Sequence, residues 1–239
     1  AIDSQSDDGK HQPDDLLTDR ARNKIFRLLQ LYMREELIHA TPRMIIGFVN
    51  EFGTYWAQWR GKIPAPSIAL YVLFRAEIET SPEALLSEGL IKKEFRSIAG
   101  EPDWLKHLAA LAFNVDLEHA EEVLLGDRIA KGLRQNRPDG LTALKNIQGF
   151  DRIFQIHAAP EIEKIAQGDT TAFSNAALNV QALDLRGPAA DEVWHAFAES
   201  IPNLGKLDSV EVASNEGLLQ IVARQPPKNR LASAEAVLN

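Results

Sequence analysis

Residues 41–52 run Thr41-Pro42-Arg43-Met44-Ile45-Ile46-Gly47-Phe48-Val49-Asn50-Glu51-Phe52 and open an amphipathic helix. Thr41 suits the N-cap, where its hydroxyl accepts from a free backbone N–H. Pro42 suits the first helical position, where a missing N–H costs nothing. Ile45, Phe48, Val49, Phe52, Trp56 and Trp59 then recur at three- and four-residue spacings and form one apolar face. Gly61 stops the helix, with Pro64 and Pro66 beyond it. A helix with a face this apolar must bury it against other elements. The fold is therefore decided by the segments on either side.

Those segments are also helical. Upstream, Ala21, Ile25, Leu28, Leu29, Tyr32 and Leu37 fall on one face of a helix that starts near Leu16 and ends near His39-Ala40. Downstream, Ser67 to Glu79 is apolar nearly all round and predicts an internal helix. Ser81-Pro82-Glu83 opens a short helix and Pro102-Asp103 opens another over Trp104–Phe113. Asp116 can cap a long helix through Leu133, and Asn136-Arg137-Pro138-Asp139-Gly140 breaks the chain. Leu141–Ile147, Phe150–Ile165, Thr171–Leu183 and Ala189–Phe197 read as further helices. Residues 207–224 read as either a short β-hairpin near 209–224 or a helix capped by Asn215, with the helical surroundings favouring the latter. Leu231–Leu238 reads as a last helix. The expectation is an all-α chain of about a dozen helices, arranged as an irregular bundle or a solenoid-like array. Residues 1–15 read as a disordered acidic leader, 16–80 as one helical subdomain and 81–239 as a second module, with a sub-boundary at 136–140.

Composition narrows the function. The 239 residues carry a net charge of −8 and no cysteine, which excludes disulfides, thiolate metal sites and cysteine nucleophiles. Residues 1–19 hold six acids and one base, a net of −5, so the remainder is close to neutral. Neither part has the basic footprint of a nucleic-acid binder. The longest apolar run, Ile68-Ala69-Leu70-Tyr71-Val72-Leu73-Phe74, is far short of a membrane span, and no stretch reads as a signal peptide. A reducing cytoplasm is the expected compartment.

Motifs narrow it further. The chain has no G-x-x-x-x-G-K-[ST], no H-E-x-x-H and no G-x-S-x-G. His119 and Glu122 stand at i, i+3, a spacing that can bind metal, but one such pair is common on charged helix surfaces. Glu35-Glu36 and Glu121-Glu122 are adjacent, point about 100° apart and read as solvated helix surface. Tyr55, Trp56 and Trp59 have the spacing of core aromatics rather than of a base-stacking platform. Arg43 remains. A guanidinium in the first turn, beside free N–H groups and the positive end of the helix dipole, can clamp a phosphate in bidentate fashion. It can equally be a solvated arginine at a capped helix start.

Thr41-Pro42-Arg43, Ile46, Phe48 and Asn50 resemble the "T/N-P-R-x-I-x-x-F-x-N" signature that lies after the catalytic core in bacterial KAP-type P-loop NTPases. Ile63-Pro64-Ala65-Pro66-Ser67-Ile68-Ala69-Leu70-Tyr71-Val72-Leu73 is similar to the segment downstream of that signature in bacterial members. The resemblance covers residues 16–80 and implies a helical lid. In it Arg43 senses the nucleotide's γ-phosphate, Asn50 orients the lid helix, and Thr41 and Pro42 cap the helix at the same site. The Walker A and B segments of such a protein would precede Ala1. The implied chain is a non-catalytic helical remainder of a longer signalling or phage-defence ATPase. It carries no cofactor itself, and ATP with magnesium would belong to the parent. The upstream NTPase domain is the implied partner, residues 81–239 form a regulatory or protein-binding module, and homo-oligomers stay open. Two other readings stand beside it: a freestanding α-helical scaffold that binds protein partners, and a stand-alone enzyme with a centre such as His119/Glu122.

Overall fold

The stretch from Ser67 to Leu73 leaves no polar stripe for water, so its helix has to be surrounded by other elements. The computed structural model describes residues 17–37, 39–87, 89–100, 102–204 and 215–224, and in it that helix is enclosed on every side. Among the described residues there are twelve α-helices and no strand. The first six are α1 (Asp19–Glu35), α2 (Pro42–Trp59), α3 (Ala65–Leu73), α4 (Arg75–Thr80), α5 (Lys93–Ala99) and α6 (Trp104–Phe113). The others are α7 (Leu117–Arg134), α8 (Asp139–Thr142), α9 (Phe150–Ala166), α10 (Thr170–Ala182), α11 (Pro188–Ser200) and α12 (Glu216–Arg224). Short 3₁₀ turns lie at Pro82–Leu86 and Ile201–Asn203. The all-α expectation holds. No described helix is long and apolar enough to cross a membrane.

Two compact units divide at Leu117/Glu118. In the first, α1, α2, α5 and α6 pack around α3, all nine of whose residues are buried. Helices α5 and α6 come after residue 80 in the chain but belong to this unit. Edge-on aromatic contacts extend the core: Phe74 meets Tyr32 at 5.3 Å and Phe95 at 5.1 Å. Ser67, buried in α3, shares a 3.1 Å hydrogen bond with Nδ1 of His107 on α6. A buried hydroxyl needs such a partner.

In the second unit, α9 packs on α10 and α11, and α12 rests on α10 and α11. Phe173 and Phe197 meet edge-on at 5.2 Å, and Trp194 lies beside Phe197. Charged and polar groups are buried here too. Glu121 on α7 accepts a 2.8 Å charge-assisted bond from Arg152 on α9, and Glu161 pairs with Arg134. Asn179 of α10 donates to the carbonyls of Gly132 and Gln135, which closes the C-terminal end of α7.

Several elements differ from their sequence expectation. Leu37 is not on the inner face of α1: the helix ends at Glu35, and Leu37 turns left-handed (φ 53°) with 89% of its surface exposed. The helix expected over Leu141–Ile147 is only the single turn α8. Glu121 is not solvated surface but 7% exposed, since Arg152 supplies its counter-charge. Over residues 216–224 the favoured of the two readings, a helix capped by Asn215, forms as α12, with Asn215 Oδ1 accepting from Leu218 N–H at 3.2 Å and from the Ser174 hydroxyl. Gly217 lies against the backbone of Ser174, where no side chain fits. The leader 1–15, residues 209–214 and the helix read at Leu231–Leu238 lie outside the described residues.

Candidate functional site

The start of α2 forms as its residues dictate. Thr41 is extended (φ −102°, ψ 149°), its hydroxyl accepts from Met44 N–H at 3.2 Å, and its carbonyl accepts from Ile45 N–H at 3.1 Å. Pro42 takes the first helical position. Arg43 comes next, exposed, with no hydrogen bond or ion pair among the described residues. Asn50 is also exposed; its carbonyl accepts from the Thr54 hydroxyl, and its side chain bonds nothing among the described residues. Seven residues apart on a helix, Arg43 and Asn50 share one side and stand about 10 Å apart along the axis. The structure thus brings together Thr41, Pro42 and Arg43 at one helix start and sets Asn50 two turns further along the same side.

The apolar face of α2 divides in two. Phe52 and Trp59 are buried, and Phe48, Phe52 and Trp56 stack in sequence at 6.1 Å spacings. Tyr55 meets buried Tyr71 edge-on at 5.1 Å. Trp59 is only 5% exposed and belongs to the core, whereas Tyr55 and Trp56 are half-buried. Ile45, Ile46 and Val49, by contrast, are 40%, 59% and 55% exposed. At 100° per residue they fall on one side with Gly53, whose Cβ position has no atom within 4 Å. The sequence places Ile45 and Val49 on the buried stripe; the structure leaves both open to solvent.

The middle of α2 is fixed by charge. Arg75 of α4 lies 3.4 Å from Glu51 and 3.5 Å from Glu79. Tyr71 donates to Glu79 at 3.3 Å, and burial raises its phenol pKa, with Tyr55 and Glu79 adding to the effect. This cluster anchors the second half of α2 to α3 and α4, while the first half projects beyond it.

His119 and Glu122 do not form a centre. His119 is exposed, and Glu122 faces His157 of α9 at 3.3 Å. Among the described residues, no group of three His, Asp or Glu side chains is placed to hold a metal ion. Compared with family models, curated proteins and solved structures, the chain matches none.

The exposure of Ile45, Ile46 and Val49 is the feature that sequence reasoning misses. Spacing assigns apolar residues to a face but not to a partner, and no signal in the sequence separates the covered half of α2 from the open one.

Proposed function

We propose that the chain is the helical lid and downstream region of a larger P-loop NTPase, which couples nucleotide state to the binding of a protein partner. The observation that carries this reading is the first half of α2. It presents, at a capped helix start, an Arg43 with no partner among the described residues and, one turn on, an exposed apolar side of Ile45, Ile46 and Val49. Three exposed aliphatic side chains on one side of a helix are the kind of surface that a partner covers. Docked on a nucleotide domain, the stripe would be covered and Arg43 would reach the γ-phosphate. Asn50, on the same side, would orient the helix on that domain. ATP held between the two parts would bias the position of α2 and, through Arg75 and the α3 core, the helices beyond it. The chain contributes the sensing arginine and not the chemistry, since it has no phosphate-cradling loop.

ATP turnover by the purified 239-residue chain tests the proposal. The expected result is no turnover in either the wild type or Arg43→Ala. Turnover in the wild type that disappears in Arg43→Ala would overturn it, because the arginine would then belong to a complete active site.

A further inference from the structure

The first unit contains a cavity unconnected with the start of α2. It lies where the beginning of α1, the end of α2 and the link into α3 converge, and its volume is about 380 Å³. That falls within the range of small-molecule sites, roughly 300–1,000 Å³. Leu17, Trp56, Ile63, Pro64 and Pro66 supply the apolar part of its wall. Trp56 stacks on Phe52 at an interplanar angle of 11°, which fixes the plane of the indole. The two prolines have no N–H to satisfy and hold their backbone still. A wall of this composition accepts a flat ring at little cost in side-chain entropy.

The Thr18 hydroxyl is occupied by Ala21 N–H, so it is committed as the cap of α1. Lys62 is the only charged residue among those lining the cavity. Its side chain is 61% exposed, and its ammonium lies 5.8 Å from the centre of the Trp59 ring. It lies 3.3 Å from Asp116, itself 73% exposed. A pair this solvated is worth little, so Lys62 can exchange Asp116 for another carboxylate.

We propose that this cavity binds a small aromatic carboxylate, with the ring against Trp56 and the prolines and the carboxylate on Lys62. The complementarity is one cation and no anion among the described lining residues, beside an indole, two prolines and the aliphatic Leu17 and Ile63. A bound ring would touch α1, α2 and the start of α3 together.

The test uses the whole chain labelled with ¹⁵N and two probes of the same shape, 2-naphthoate and its neutral amide, 2-naphthamide. The chain has four tryptophans, so four indole N–H signals report on the site, and Trp56→Phe assigns the relevant one. With 2-naphthoate, the Trp56 signal and the amides of Ala21 and Gly61 should move saturably, while Trp104 and Trp194 stay still. The amide should bind about three- to fivefold more weakly, the scale of one exposed ion pair. Lys62→Met should remove that difference by weakening 2-naphthoate alone. No saturable movement of Trp56 up to the solubility of the probes, or parallel movement of all four indoles, would overturn the site. Equal affinities of the two probes for the wild type would overturn the carboxylate assignment, and this comparison needs no variant to fold.

Discussion

Helices α2 and α3 are neighbours in the chain and are both rich in aliphatic and aromatic residues, yet they are used in opposite ways. Every residue of α3 is buried, and its polar groups are satisfied, Ser67 by His107 and the Tyr71 phenol by Glu79. The first half of α2 places Ile45, Ile46 and Val49 in water and leaves Arg43 unpaired among the described residues. The difference is in pattern rather than composition. A helix with no polar stripe can only be internal, whereas a helix with a broad apolar face and polar flanks can share that face between its own domain and another surface. In α2 the division falls near Phe52: the aromatic ladder turns inward, and the aliphatic side chains before it turn outward.

The contrast breaks most visibly in α3. Leu70→Ala should cost about 2–5 kcal/mol, because it opens a cavity in a fully enclosed site. Amide exchange of residues 65–73 reads this directly and reports the first unit alone. Ser67→Ala should cost about 1–3 kcal/mol in the same assay, since it leaves His107 Nδ1 without its partner.

A pH series sharpens the same pair. Burial is the main cause that holds His107 below its ordinary value; Lys106 acts in the same direction and Asp103 against it. The unfolded chain therefore binds more protons than the folded one from about pH 6.5 down to the folded value. The stability that this group contributes is complete above about pH 6.5 and is lost as the pH falls through that window. Between about pH 7 and pH 5, the protection of the α3 amides relative to their intrinsic exchange rate should fall more in the wild type than in His107→Gln.

The smallest effect belongs to α2. Ile46→Asp should change the stability of the first unit by no more than about 0.5 kcal/mol, because the side chain is already in water. A loss comparable to that of Leu70→Ala would show that the open face is covered within this chain.

Much of this architecture is legible in the sequence. Thr41 and Pro42 announce α2, Gly61 ends it at φ 77°, and Asn215 announces α12. Spacing and caps are local, so they survive without knowledge of the fold. The end of α1 is less legible: three- and four-residue spacing carries Leu37 onto the face, and only the left-handed backbone at that residue takes it off. Helix α5 is invisible to periodicity, because Lys93–Ala99 is too short to show a period. The burial of Glu121 is equally hidden, because its counter-charge, Arg152, lies 31 residues away on another helix. The candidate site is legible in its residues, Arg43 and Asn50, but not in its bare flank, since exposure depends on what the rest of the molecule covers.

In the proposed function, α2 docks on a nucleotide domain encoded ahead of it. Sequencing the gene upstream of the codon for Ala1 tests that claim most directly. The account predicts an in-frame P-loop, G-x-x-x-x-G-K-[ST], and then a Walker B strand before residue 1. An initiation codon immediately ahead of Ala1, with no P-loop in frame, would contradict it.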